Sequence, residues 1–325
     1  MKISRSKMFD QLYSKVLPDL PPHILETDEL RSKDYRRLFG YAGMSLVVTA
    51  DQPFAKKTFS NKINAFRSTD ESFEKIYIHH HFAFPEIKAV HWGKMIQRKE
   101  PWVVYRKDRG WIYKGVINKG NQEKVFKIAV FNDNHSRARI FSPDAKVFQA
   151  GGLKSLTTFP TDQLMLLQTI SHKNACIFHS SGMIINGQGL LFLGHSGAGK
   201  STMVTLLKDI GEILCDDRNI IRSQDDGFRL YGSWSHGDVP HVSPRSAPVK
   251  ALFFIEKTSF NRLTPLSPFQ GLFRLPAFAV RSISNKDWWA RTLGLIEKIT
   301  NQVPMYRLQF DKSGKIAQII NELVA

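Results

Sequence analysis

A glycine-rich segment between an apolar run and a helix-like run constrains the fold of this chain more than any other feature. Apolar residues 190–193 lead into Gly194-His195-Ser196-Gly197-Ala198-Gly199-Lys200-Ser201, and an apolar-periodic run continues to Asp209. Glycines let the backbone curl so that successive N–H groups point inward, and the N-terminus of a helix adds positive potential. The segment therefore predicts a phosphate-binding loop between a strand and a helix.

The pattern assigns a role to each of the last two residues of this segment. Lys200 is expected to reach the outer phosphates of a nucleotide, and the Ser201 hydroxyl is expected to bind Mg²⁺. The alternative is a glycine-rich turn that binds nothing. The predicted nucleotide-binding residues are Gly194, His195, Ser196, Gly197, Ala198, Gly199, Lys200, Ser201 and Thr202.

Phosphoryl transfer also needs carboxylates near the metal and near the attacking group. The first acidic pair after the predicted helix is Asp216-Asp217, directly behind the apolar residues 213–215. The interval from Lys200 accommodates one helix, a turn and a strand that returns beside the loop. One of the two carboxylates can bind Mg²⁺ and the other can accept the proton of the attacking group, the alternative for the pair being a surface turn.

One histidine precedes the loop at a suggestive interval. His179 lies 15 residues before Gly194, on the strand-like run ahead of the loop strand. A lone histidine is more often structural than functional, so its position alone does not assign it a role.

These motifs together resemble the C-terminal catalytic domain of HPr kinase/phosphorylase and the broader phosphoenolpyruvate-carboxykinase-like kinases. The resemblance is carried by His179-Ser180-Ser181-Gly182, then NGQGLLFLGHSGAGKST, then EILCDDR, and it covers about residues 150–325. It implies a catalytic role for Asp216, Asp217, His179 and Lys200, with His179 orienting a carboxylate. It also implies that the two aspartates share the metal and general-base work, and we expect Asp216 to act as general base and Asp217 to be linked to the metal. Thr202 stands where HPr kinases typically carry an acidic residue, so the resemblance does not extend to HPr as the acceptor.

Two further regions are weaker candidates for contacts with the acceptor or the phosphates. The segment from Gly232 to Arg245 is polar and punctuated by Gly and Pro, which predicts a loop carrying His236, Asp238 and Arg245. Arg262 is a candidate for stabilising charge on the transferred group. The alternatives are an ordinary surface loop and an exposed arginine.

The pattern of runs predicts three regions along the chain. Residues 1–44 read as a helical segment, including a helix from Glu26 to Phe39. Residues 45–150 are rich in short Val-, Ile- and aromatic-containing runs, which predict a smaller antiparallel β-rich (α+β) domain with a hairpin at residues 108–110. Residues 151–325 alternate strands and helices, which predicts an α/β domain resembling the HPr kinase P-loop core.

The net charge of the chain narrows the classes of partner that it is expected to bind. The chain has 325 residues and a net charge of +17, from 46 Lys and Arg against 29 Asp and Glu. Residues 1–150 carry 27 basic and 16 acidic side chains, hence +11. This half is expected to recruit an anionic partner, with an acidic acceptor as one candidate, and the alternative is an ordinary solvated basic surface. Nucleic acid is disfavoured because no recognisable binding signature is present.

The location is expected to be cytoplasmic. No apolar run approaches the about 18–20 residues that span a bilayer, the first residues lack the apolar core of a secretory signal, and two cysteines cannot form a disulfide framework. The oligomeric state is left open, a homo-oligomer included.

Two other features invite functional interpretations that we set aside. Strand alternation sends His79 and His81 to one face and His80 to the other, so all three do not easily converge on a metal and are expected to be structural or surface histidines. Trp92, Trp102 and Trp111 are expected to fill the β-rich core.

The favoured function is an ATP- and Mg²⁺-dependent kinase that transfers the γ-phosphoryl group to a hydroxyl of a protein, peptide or small molecule. The alternatives are a nucleotide-binding sensor or scaffold and a nucleotide hydrolase, either of them with a basic domain that holds an anionic partner.

Overall fold

The computed structural model describes residues 34–71, 74–86, 90–119, 122–157, 162–235, 237–281 and 286–324. The chain divides into two compact units, one up to Met165 and the other from Leu166. Each unit contains one large multi-stranded sheet and few helices, so the protein is of mixed α/β class. The predicted boundary at residue 150 lies on the N-terminal side of this division.

The N-terminal unit contains an eight-stranded sheet in the order β1-β2-β3-β8-β7-β6-β5-β4. Its elements are β1 Arg36–Tyr41, β2 Met44–Ala50, α1 Asn61–Asn64, β3 Lys75–His81, β4 Lys94–Lys99, β5 Trp102–Lys107, β6 Gly110–Lys119, β7 Gln122–Asn132, β8 Arg137–Phe141 and α2 Lys146–Ala150. The expectation of an antiparallel domain is wrong at the centre, because β3 pairs in parallel with both β2 and β8. The hairpin is confirmed, with Lys107 opposite Gly110.

The predicted helix from Glu26 to Phe39 is wrong for its last four residues. Residues 36–39 belong to β1, where Arg36 lies opposite Thr49 of β2. Leu38 and Phe39 are buried there, so pairing and burial override the helical spacing of the sequence. Apart from Asp34 and Tyr35, the rest of that prediction falls on residues 1–33, which lie outside the described residues. The helical segment predicted before it lies there as well.

The C-terminal unit carries the elements around the glycine-rich segment, and its first helix, α3, begins just before Leu166. The elements are α3 Asp162–Ser171, β9 Ala175–Ile185, β10 Gln188–Leu193, α4 Lys200–Leu207, β11 Glu212–Cys215, β12 Arg218–Gln224, β13 Gly227–Tyr231, β14 Ser246–Lys257, β15 Arg262–Leu266, α5 Pro268–Arg274, a 3₁₀ turn Leu275–Phe278, α6 Lys286–Gln302, β16 Met305–Phe310 and α7 Ile316–Val324. The predicted strand–loop–helix order from β10 to α4 is confirmed.

The glycine-rich strand lies inside the second sheet, whose order is β10-β9-β12-β13-β14-β16-β15. β10 also pairs in parallel with β14, and β11 pairs with β9. Side chains of β10 alternate between two cores: Leu193 packs with α6 residues such as Ile296, and Phe192 packs with Val204 of α4 and Ile320 of α7. Burial on both faces fixes the strand, so the loop that follows it starts from a rigid end.

Among the described residues, no helix combines the length and the apolar character needed to cross a membrane.

Candidate functional site

The turn between β10 and α4, residues 194–199, is called the glycine loop. Gly197 and Gly199 have φ values of 82° and 103°, a region that favours glycine. A Cβ on Gly199 would also lie 2.8 Å from Cζ of the buried Phe310 ring, so both this contact and the positive φ disfavour a larger residue. The backbone therefore enters α4 in the left-handed conformation that lets its first N–H groups face a ligand.

Lys200 opens helix α4 and folds back over the glycine loop. Its Nζ donates to the carbonyl oxygens of Gly194 at 2.9 Å and His195 at 3.3 Å. Burial lowers the pKa of Lys200, while the carboxylates of Asp217, Asp216 and Asp238 act in the opposite direction. The ammonium is thus held at the loop among three acidic groups.

Asp216 is buried beside the first turn of α4, with 2% of its surface exposed. Its Oδ2 accepts a hydrogen bond from the Ser201 hydroxyl at 3.1 Å and from the Val239 N–H at 2.8 Å. Its Oδ1 accepts from the Gly237 N–H at 2.6 Å. Three donors hold this carboxylate in one orientation, facing Ser201.

Asp217 faces a different set of partners. Its Oδ1 lies 3.2 Å from Nε2 of His179, and its Oδ2 lies 3.3 Å from Nε of Arg218. His179 and Arg218 are direct neighbours across the β9–β12 pairing. Burial and the charge of Lys200 lower the pKa of His179, while Asp217 acts to raise it, and the net shift is downward.

The two strands that carry these groups are held together by a small buried network. Asn219 donates to the carbonyl oxygens of Ser180 at 2.8 Å and Cys215 at 3.0 Å. A Cβ on Gly182 would lie 2.4 Å from Oδ1 of Asn219, so the close approach requires glycine. This network fixes β9 with its His179 against the turn that carries the two aspartates.

Most of the predicted residues line one cavity of about 260 Å³. Its lining consists of His179, Ser196, Gly197, Gly199, Lys200, Ser201, Thr202, Asp216, Asp217, Gly237, Asp238 and Lys257. The cavity is polar and carries cations at the loop and carboxylates opposite. Such an arrangement can hold an anion together with a hard cation that bridges it to oxygen ligands.

Other predicted residues lie elsewhere. Gly194, His195 and Ala198 line a separate cavity of about 390 Å³, where the His195 ring packs 5.0 Å from that of Phe278. Arg245 is paired with Glu212, and Arg262 lies over the ring of Phe260, so neither lines the 260 Å³ cavity. His236 lies outside the described residues.

Sequence reasoning missed Lys257, the last residue of β14. It lines the cavity because β14 runs parallel to β10, which brings the carboxyl ends of both strands to one edge of the sheet. The signal was a lysine two positions after the apolar run 251–255, but it becomes informative only once the parallel pairing is known.

The chain belongs to the ScmC family, described as SynChlorMet cassette protein ScmC, whose profile matches residues 158–325. No curated protein matches the chain. Among solved structures, the Hpr(Ser) kinase/phosphatase from Coxiella burnetii is similar at 13% sequence identity over 46% of this chain and 93% of that chain, with a TM-score of 0.25. That TM-score is too low to establish a shared fold, so the function proposed below rests on the residues of the site.

Proposed function

We propose that the 260 Å³ cavity binds ATP with Mg²⁺ and that the protein transfers the γ-phosphoryl group to a hydroxyl of an acceptor. The observation that carries the proposal is the convergence of Lys200, Ser201, Asp216 and Asp217 on one cavity. Phosphoryl transfer is catalysed mainly by positioning and by neutralising charge, and these residue types supply both.

The glycine loop and two lysines would bind the phosphates. Backbone N–H groups of residues 196–201 and the N-terminus of α4 favour anions, and Lys200 adds a point charge. Lys257 adds a second cation to the same lining. Lys200 would exchange its carbonyl partners in the loop for phosphate oxygens, which are the stronger acceptors.

The residues fit a magnesium ion by the chemistry of their donors. The hydroxyl of Ser201 lies 3.1 Å from an oxygen of Asp216 and 3.4 Å from an oxygen of Asp238, which gives an all-oxygen set. Magnesium bound there would neutralise charge that develops on the transferred group. Asp238, expected from sequence to contact the acceptor or the phosphates, is better suited to this set because a carboxylate repels phosphate.

Asp217 is the better candidate for the general base. Asp216 accepts three hydrogen bonds, one of them from Ser201, whereas Asp217 is held by His179 and Arg218. We therefore propose Asp216 as the metal-linked residue and Asp217 as the base, the reverse of the sequence-based expectation. His179 would position Asp217 by donating its Nε2–H, and Asp217 would accept the proton of the acceptor hydroxyl.

The acceptor is proposed as a hydroxyl of a protein, peptide or small molecule. The charge of +11 in residues 1–150 favours an acceptor with acidic groups. Water is the competing acceptor, because a base positioned for a hydroxyl can also activate water, and hydrolysis is therefore a distinct outcome of the experiment.

The experiment incubates the full chain with γ-labelled ATP, Mg²⁺ and host-cell extract, and follows labelled acceptor and free phosphate separately. Lys200→Ala is expected to abolish labelling, since it removes the cation at the phosphates. The matched control is Lys208→Ala, which removes an exposed lysine at the other end of α4.

Two results would contradict the proposal. Labelling that survives Lys200→Ala would place the activity outside this cavity. Phosphate release that depends on Lys200 without any labelled acceptor would identify a hydrolase instead.

A further inference from the structure

A second cluster of chemically active side chains lies in the N-terminal unit, at the end of the parallel strands β2 and β3. Asp51 follows β2, and His79 and His81 are alternate residues at the end of β3. One oxygen or nitrogen from each of the three residues lies within 4.8 Å of the others. Strand alternation sends His80 away from this cluster, to the carbonyl oxygen of Leu156 at 2.7 Å.

The Asp51 carboxylate lies between the two imidazoles. Its Oδ1 lies 2.9 Å from Nε2 of His79, and its Oδ2 lies 3.1 Å from Nδ1 of His81. The two rings are 4.4 Å apart and nearly perpendicular. Two ring nitrogens and a carboxylate therefore lie together, and they are the donor set of a two-histidine, one-carboxylate metal site.

Contacts on the far sides of the two rings hold this geometry. The Thr49 hydroxyl lies 2.8 Å from Nδ1 of His79, so Nε2 is the nitrogen turned toward Asp51. The His81 ring stacks on Phe141 at 4.6 Å, with an angle of 11° between the planes. A hydrogen bond to the second nitrogen of a ligating histidine is the usual way in which proteins orient it for a metal.

The exposure of the three residues suits a cation that enters from solvent. His79 and His81 are buried, while the side chain of Asp51 is 38% exposed. A metal held by these three would keep a coordination position on the Asp51 side for water or another ligand, as in zinc sites with three protein ligands.

The electrostatic setting favours a neutral His79 and an ionised Asp51. Burial is the main reason that the pKa of His79 falls to about 4, and the charge of Arg139 contributes in the same direction. Burial alone would raise the pKa of Asp51, but hydrogen bonds from His79 and His81 bring it below its usual value. The positive charge of Arg139 also disfavours a cation near His79. The Asp51 carboxylate is the negatively charged ligand of the three, and it acts in favour of the cation.

We propose that Asp51, His79 and His81 form a binding site for a divalent transition metal, with Zn²⁺ as the best match to two nitrogens and one oxygen. This site belongs to the N-terminal unit and does not depend on the function proposed for the glycine loop. It also revises the sequence-based interpretation of the three histidines: two of them do converge, and the third ligand is an aspartate from the neighbouring strand.

The test measures zinc retained by the full chain after removal of metal, reloading with Zn²⁺ and dialysis. We expect one tightly held zinc ion per chain, with affinity at least about tenfold lower in Asp51→Asn and in His81→Ala, because each loses a ligand. His91→Ala, an exposed histidine of the same unit, is the matched control and should retain zinc. Asp217→Asn should also retain it, which separates this site from the glycine loop.

X-ray absorption of the zinc-loaded wild-type chain gives a readout that does not depend on variants folding. Two imidazole nitrogens at about 2.0–2.1 Å with oxygen ligands would support the site. Sulfur ligation, the absence of retained zinc, or zinc retained equally by the folded Asp51→Asn variant would overturn the proposal. Asp51→Asn is expected to disturb folding less than His81→Ala, because the Asp51 side chain is partly exposed and asparagine has the same shape.

Discussion

The glycine loop and the cluster of Asp51, His79 and His81, called the histidine cluster, differ in how the chain builds a polar site. The glycine loop lies at the end of β10, and the groups around it come from loops and strand ends that border an open cavity. The histidine cluster lies at the end of two parallel strands, and two of its three side chains are buried. In the proposals above, the first arrangement would bind the phosphates of a nucleotide and the second would bind a single metal ion.

Asp217→Asn tests the functional side of this contrast and carries the largest expected effect. The substitution keeps the shape of the side chain but removes the base, so phosphoryl transfer should fall by about 10²–10⁴-fold while MgATP affinity stays nearly constant. Asp216→Asn should instead raise the Mg²⁺ concentration needed for half-maximal transfer. Steady-state rates at varied ATP and Mg²⁺ distinguish the two.

Asp209→Asn, at an exposed position just beyond α4, is the control and should behave as wild type. Equal effects of Asp216→Asn and Asp217→Asn on the Mg²⁺ requirement would contradict the division of roles between the two aspartates.

How well each region could be predicted depends on how far apart its contacting residues lie in the sequence. The glycine loop, Lys200 and Ser201 are contiguous in sequence. The hydrophobic run 190–193 predicts the strand that precedes them, so the local pattern was sufficient to locate the loop. Asp216 and Asp217 were found because one helix and one strand return them to the loop. Their separate partners depend on the β9–β12 register and on the amides of the 237–239 loop, which spacing does not encode.

The N-terminal unit shows where such reasoning fails. The alternation of His79, His80 and His81 was predicted from the period of a strand and is confirmed. Asp51 joins them only because β2 and β3 pair in parallel, a pairing that the sequence-based antiparallel expectation missed. The end of the predicted helix at Phe39 failed for the same reason, since partners distant in sequence decide strand formation.

Gly182→Ala tests how tightly β9 and β12 pack against each other beside the glycine loop. The added Cβ would lie 2.4 Å from Asn219, so we expect a loss of about 1–3 kcal/mol in the free energy of unfolding. Gly294→Ala in α6 is the matched control, because a Cβ there meets nothing within 4 Å.

The control should gain about 0.5–1 kcal/mol, the usual benefit of alanine over glycine within a helix. Urea unfolding of both variants, followed by a signal from the C-terminal unit, measures the difference. A Gly182→Ala variant as stable as the control would show that the packing around Asn219 is loose.

Acidification should weaken the N-terminal unit through its buried histidines. Burial is the main reason that the pKa of His80 falls to about 3, and that of His79 falls to about 4. The unfolded chain takes up a proton near pH 6.5 while the folded unit does not, so stability is present above about pH 6.5 and is lost as the pH falls toward these values. Each such histidine contributes about 1.4 kcal/mol per pH unit within that window.

Hydrogen exchange at pH 7.5 and pH 5, corrected for the intrinsic rates, compares β3 with β10 in the same molecule. We expect the free energy of opening to fall more in β3 than in β10. Equal changes in the two strands would contradict the assignment of this pH dependence to His79 and His80.

The central claim is that the glycine loop and Lys200 bind the phosphates of a nucleotide. Equilibrium titration of the full chain with MgATP tests it most directly, with Lys200→Ala and Lys208→Ala measured in the same buffer. Saturable binding of one nucleotide per chain by wild type and Lys208→Ala, weakened at least about tenfold by Lys200→Ala, is the predicted result. Absence of MgATP binding to the wild-type chain, or equal affinity in all three proteins, would contradict it.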